Sequence, residues 1–168
     1  LMIEDLDKVA MTHGQAAAAH VMQEIGARLV SALRADDVVG LVADGQLAVC
    51  LSPVRHLDLE TCIQAAVRMQ SAIEVPVSLN GVSIYITASI GFCQTARSPG
   101  PNGAAWLGAA QTAAEDAAAR GASTLRAYSD TMRRETQAHS ALRDEVEEAL
   151  DSGQIKPWFQ PQISTDTG

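Results

Sequence analysis

Lysine is almost missing from this 168-residue chain, which carries only Lys8 and Lys156. Arginine brings the basic total to 12 against 20 acids, for a formal net charge of −8 and a pI near 4.8. That balance excludes a basic groove for nucleic acid, and an acidic surface is repelled by anionic membranes. Cysteine is scarce as well. Cys50, Cys62 and Cys93 are odd in number, widely spaced and each set in an apolar run. They are expected to be reduced core thiols of a cytoplasmic domain, with no disulfide framework and no Cys-x-x-Cys metal pair. His13, His20, His56 and His139 lack metal-ligand spacing and are expected at or near the surface. Neither Ser52 nor Ser89 nor any cysteine has a neighbouring His to activate it as a nucleophile. No apolar run reaches membrane-spanning length and no signal peptide is visible. The chain opens directly on Leu1-Met2-Ile3, a strand-like start, so an upstream segment is expected.

What is present is 47% hydrophobic, enough for one domain with a substantial core, or for a domain and the start of another. The most informative stretch is Asp36 to Leu51. Two apolar, β-branched runs flank a tip of Ala43-Asp44-Gly45-Gln46, and Asp-Gly in such a setting is a strong hairpin signal. A second hairpin is expected at Asn80-Gly81, between strands Val75 to Leu79 and Val82 to Cys93, with a pair suited to a type I′ turn. Helical periodicity marks Gln15 to Leu33, through Val21, Ile25 and Leu29, and Leu57 to Glu74, with Asp58 as N-cap. Gln94 to Gly103 is a Pro- and Gly-rich loop. Ala104 to Arg120 is an Ala-rich helix stopped by Gly121, and Leu125 to Tyr128 a short strand. Asp130 to Ser152 is a long polar helix, after which Ile155 to Pro161 resumes strand character. Hairpins interleaved with helices imply an α+β fold, a mainly antiparallel sheet flanked by helices, with a C-terminal linker helix.

Thr87-Ala88-Ser89-Ile90-Gly91-Phe92 resembles the strand signature of GGDEF domains, the diguanylate cyclase family, whose palm-like fold matches the order of elements here. Leu142 to Leu150, followed by Phe159-Gln160-Pro161, resembles the opening of an EAL domain, a cyclic di-GMP phosphodiesterase. The resemblance implies a GGDEF domain over 1–129 lacking its N-terminal helix, a linker helix over 130–153 and the first strand of an EAL domain over 154–168. It also implies a bacterial, cytoplasmic signalling protein, tethered to a membrane only through upstream segments if at all.

Carried over residue by residue, the cyclase machinery is largely absent. The Gly-Gly-Asp/Glu-Glu-Phe tip is here Ala43, Asp44, Gly45, Gln46 and Leu47. Gly45 stands where the family places a metal-ligating carboxylate, and Met2 stands at the other metal position. Ala10 and Ala19 replace the guanine-contacting Asn and Asp, and Ala118 replaces a phosphate-contacting Lys. Reading Asp5-Leu6-Asp7 as the family's Asp-x-Asp instead requires deleting three residues before Gly14, whereas the ungapped register lets Leu6 and Val9 fill apolar positions. Phosphoryl transfer needs positioned metal and charge neutralisation. The expectation is therefore no catalytic residue, no metal site and no cofactor, where active members use Mg²⁺.

Arg34 and Asp37 stand at the spacing of the family's inhibitory cyclic di-GMP site, and an Arg fork can hold guanine O6 and N7. The plainer alternative is an ordinary charged pair between a helix end and a strand start. Glu4, Asp5 and Asp7 are expected to be solvated acids, and Trp106, Trp158 and Phe159 core anchors. Expected partners are the protein's own EAL domain, a second copy in a homodimer, and cyclic di-GMP. The functional alternatives are an inactive regulatory or dimerising module, a sensor of GTP or cyclic di-GMP, and a pure interaction scaffold.

Overall fold

The computed structural model describes residues 1–52 and 58–160. In chain order the elements are β1 (Met2–Ile3), α1 (Leu6–His13), α2 (Gln15–Ala32), β2 (Val38–Ala43), β3 (Gln46–Cys50) and α3 (Leu59–Ile73). There follow β4 (Val77–Leu79), β5 (Val82–Ile84), β6 (Ala88–Phe92), a 3₁₀ turn at Thr95–Arg97, α4 (Gly103–Arg120), β7 (Leu125–Ala127) and α5 (Asp130–Asp151). The chain divides into two compact units, Leu1–Arg133 and Arg134–Gly168.

In the first unit the central sheet has the order β2-β3-β1-β6-β7, antiparallel throughout except for the parallel pair β6–β7. The expected α+β, mainly antiparallel architecture is thus what the chain forms. Val21, Ile25 and Leu29 of α2 are fully buried and pack with Ala66, Met69 and Ile73 of α3 and with Ile3, Ala88 and Ile90 of the sheet. Asp58 caps α3 as expected, its side chain accepting from Thr61 N at 2.8 Å. Asn102 caps α4 in the same way through Ala105 N, also at 2.8 Å. A smaller cluster of Ala109, Ala113, Tyr128 and Met132 joins α4 to β7 and the first turn of α5. Asp116 on α4 accepts from Arg126 on β7 at 2.7 Å and from Arg120 at 2.9 Å, tying strand to helix. β2 forms one edge of the sheet and is mostly exposed, Val38 and Leu41 among its residues.

The position of α4 is set by one glycine. A Cβ at Gly91 would lie 2.0 Å from Ala114 N and 2.4 Å from Ala110 O, so the helix backbone rests directly on β6. The small side chains of Ala109, Ala113, Ala114 and Ala117, all buried, complete that contact.

Several expectations are corrected. A helix not expected from the sequence, α1, begins at Leu6 after Asp5 in the left-handed region (φ 61). With Val9 its single buried residue, this short helix leaves little periodic signal. The strand expected over 82–93 splits into β5, which pairs with β4 in a separate hairpin, and β6 of the central sheet. Alternation along a chain does not reveal a change of partner. Cys62 is buried, but Cys50 is exposed and Cys93 half-buried, so only one thiol is a core residue. Trp106 is exposed and donates from Nε1 to Gly100 O at 3.0 Å.

In the second unit α5 presents Leu142, Val146 and Leu150 to solvent, and Gly153 (φ 71) ends it. Residues 154–160 form no strand, and Trp158 and Phe159 are 96% and 89% exposed, so they anchor no core. The rest of the expected strand, and His56, lie outside the described residues.

The glycine contact gives a direct test. Gly91→Ala forces a methyl group into the α4 backbone and is expected to cost about 3 kcal/mol of stability in urea unfolding. Gly26→Ala, where the added methyl meets nothing within 4 Å, should be neutral or stabilising by up to about 1 kcal/mol. Equal midpoints for the two variants would refute the close approach.

Candidate functional site

The β2–β3 hairpin turns at Asp44-Gly45, where Gly45 adopts φ 69 in the left-handed region that glycine enters freely. Its tip is fastened to β1. Ile3 N donates to Gly45 O at 2.8 Å, Leu47 N donates to Leu1 O at 3.0 Å, and Met2 sits opposite Gln46 and Ser89. Met2, on β1, and Gly45, in the hairpin tip, therefore lie one register position apart. Asp5 and Asp7 lie off the strand, at the start of α1.

The chemistry at this point is soft and neutral. Met2 offers a thioether and Gly45 no side chain, whereas Mg²⁺ requires oxygen ligands. Gln46 accepts from Gln111 Nε2 at 3.2 Å, which joins the tip to α4. Asp44 is exposed. Among the described residues no group of three or more His, Cys, Asp or Glu could hold a metal. The residues present do not fit a divalent cation. Ala10 on α1 is half-buried, Ala19 on α2 exposed and Ala118 on α4 half-buried, and each contributes only a methyl group.

Sequence reasoning missed the role of Glu4. Its carboxylate accepts from Thr87 Oγ1 at 2.7 Å and from Ser89 Oγ, and its backbone N–H donates to Thr87 O at 2.9 Å. Ser89 is fully buried and also reaches Gly121 O at 3.4 Å. The available signal was the alternation Thr87-x-Ser89, which places both hydroxyls on one face of the strand. Asp5, by contrast, pairs with Lys8 at 2.6 Å on the surface, a contact of little energetic weight. The acids at 4, 5 and 7 thus do not act as a set.

Arg34 and Asp37 are brought together, in a turn where Asp37 N donates to Arg34 O at 3.0 Å. The Asp37 carboxylate accepts from Arg34 N at 2.9 Å and from Ser52 N at 2.8 Å, while Ser52 Oγ donates to Asp36 O at 2.6 Å. It therefore joins the start of β2 to the segment leaving β3. The Arg34 guanidinium is exposed and makes no hydrogen bond among the described residues. Desolvation opposes ionisation of Asp37. The two backbone donors and the nearby Arg34 and Arg68 charges outweigh it and hold the carboxyl below its ordinary value.

Comparison with known proteins follows the same lines. The family model described as "Diguanylate cyclase, GGDEF domain" matches residues 1–124. Among solved structures, the GGDEF domain of TpbB (YfiN) from Pseudomonas aeruginosa is 22% identical with a TM-score of 0.73, covering 81% of this chain and 78% of that one. An EAL/GGDEF domain protein from M. capsulatus is 19% identical with a TM-score of 0.68, over 76% of this chain and 81% of the other. Diguanylate cyclase SiaD, solved with its activator SiaC from P. aeruginosa, is 20% identical with a TM-score of 0.67, over 75% of this chain and 47% of its own. Identities this low establish likeness of fold. No curated protein is a significant match.

Because folding lowers the Asp37 pKa, its contribution to stability is complete above the unfolded carboxyl value and is lost as pH falls through the folded value. Asp37→Asn is expected to destabilise the protein by about 1 kcal/mol at pH 7, with the deficit shrinking toward acid pH. Urea midpoints of both proteins across that range would show it, and a deficit independent of pH would contradict the assignment.

Proposed function

The chain belongs to the diguanylate cyclase GGDEF domain family, and from that premise we propose that it is a catalytically silent member serving as a regulatory or dimerising module in cyclic di-GMP signalling. The observation that carries this reading is the juxtaposition of Met2 and Gly45 at the two metal positions of the family, where neither supplies an oxygen side chain. Glu4, the nearest acid on the strand side, is engaged by two hydroxyls. Without metal, nothing at the tip neutralises a triphosphate or lowers the pKa of an attacking hydroxyl. Ala118 leaves the phosphates without a cation, and Ala10 and Ala19 leave guanine without polar partners.

A regulatory module acts on a neighbour only if two arrangements differ in free energy and something discriminates between them. A physical path is available within the first unit. The tip touches α4 through Gln46 and Gln111, and α4 packs against Tyr128 and against Met132 in the first turn of α5. In this reading α5 is the linker to an EAL phosphodiesterase domain, the whole lying in the cytoplasm. The description of the M. capsulatus neighbour as an EAL/GGDEF protein supports the pairing. Among the described residues no helix is long and apolar enough to cross a membrane.

A second reading, a sensor of cyclic di-GMP, is favoured by one observation. The exposed Arg34 guanidinium stands beside a carboxylate that uses two acceptor positions of about four. Arg34 would grip guanine and Asp37 would accept from its edge.

Two measurements separate these readings. With GTP and Mg²⁺ or Mn²⁺ the pure protein is expected to form no cyclic di-GMP above a blank, and calorimetry to detect no GTP binding. Sustained product would overturn the proposal. If cyclic di-GMP binds, Arg34→Ala is expected to weaken it by at least about a hundredfold, since a methyl group cannot replace a bidentate fork. Undiminished binding by that variant would place the site elsewhere.

A further inference from the structure

At the outer edge of the central sheet, β2 pairs with β3 alone among the described residues. Bonds on the far side of β3 fix which way each β2 residue turns. Leu47 uses both its N–H and its C=O on Leu1, away from β2. Leu41 stands opposite Leu47, and Val39 opposite Val49, which is two residues along β3 and turned the same way. The N–H and C=O groups of Val39 and Leu41 therefore point outward from the sheet. Those of Val38 and Gly40 point to β3.

A sheet edge is ordinarily protected by a charge, a proline or a bulge on the strand itself. Val38–Ala43 carries no charge and no proline, and its one irregularity, between Leu41 and Ala43, comes after both outward positions. Val38 and Leu41 are 63% and 67% exposed and stand on opposite faces, so an added strand would bury apolar surface on each. Acids bound the edge at both ends. Asp44 follows it, and Asp36 and Asp37 precede it, with the exposed Arg34 offsetting one of that pair.

We propose that β2 is the docking edge for an extended segment of a partner protein, apolar and uncharged over six residues and basic at both ends. The segment adds to the sheet as a further strand, held by the outward backbone groups of Val39 and Leu41. Its basic ends meet Asp44 at one side and the Asp36–Asp37 pair at the other, an arrangement that serves either strand direction. A net charge of −8 favours the approach of such a partner. A second copy does not fit this description, because its residues 36–45 carry no basic side chain. The inference is independent of the catalytic reading of the tip.

The probe is the fluorescein-labelled peptide Arg-Thr-Val-Thr-Val-Thr-Val-Arg, titrated with the full chain at low salt and read by anisotropy. Saturable binding is expected, and a version with Glu at both ends should bind at least about tenfold more weakly. Asp44→Lys is expected to narrow that preference at least about threefold. Leu41→Pro removes an outward N–H without breaking a bond to β3, and should weaken binding about tenfold. In the unaltered protein, saturation with the Arg-ended peptide should slow amide exchange at Val39 and Leu41 at least about tenfold and leave Gly40 little changed. No saturable binding below about 1 mM, equal binding of the two peptides, or unaltered exchange at Val39 and Leu41 would overturn the proposal. So would a dimer of the unliganded protein that Leu41→Pro dissociates, because the occupant of the edge would then be a second copy.

Discussion

The arrangement of the first unit depends on a backbone-to-backbone contact, the seating of α4 on β6 at Gly91. No side chain stands between helix and strand there. The helix can come so close because its inner face is alanine, and Asn102 and Gly121 bound it at either end. From that position α4 does three things at once. It places Gln111 against the hairpin tip, presents Asp116 to Arg126 on β7, and provides the surface on which Tyr128 and Met132 bury. A bulkier residue at 91 would move all three together.

Beside this contact the hairpin tip is held to β1 by main-chain bonds, which bring Met2 and Gly45 close together. Such bonds do not depend on side-chain identity, so the geometry of the tip is indifferent to what these two positions carry. Glu4, Thr87 and the buried Ser89 form a partly buried polar cluster beside this point. Their mutual satisfaction stiffens the junction of β1 and β6 instead of serving a ligand.

What the sequence disclosed was local. Asn80 and Gly81 take the two positive φ values, 50 and 82, that a type I′ turn demands, and both are residues that tolerate them. Asp58 caps α3, and the four-residue stripe of α2 faces the core. What it concealed depended on distant partners. The break between β5 and β6 follows from which strands lie alongside. Glu4 looked like one of three solvated acids because its hydroxyl partners lie 83 and 85 residues away. Asp37 was legible as half of a charged motif. Its bond to Ser52 N, which makes it a brace between strands, was not.

The exposed edge strand β2 carries no charge from Val38 to Ala43. Such an edge invites a second copy to dock alongside it. Its guards stand just outside. In an antiparallel pairing of two copies centred between Gly40 and Leu41, Asp37 of one copy falls opposite Asp44 of the other. Like charges meet at both ends of the ribbon, and the repulsion works against sheet-to-sheet growth where the apolar residues favour it. Salt, by shortening the reach of that repulsion, weakens it.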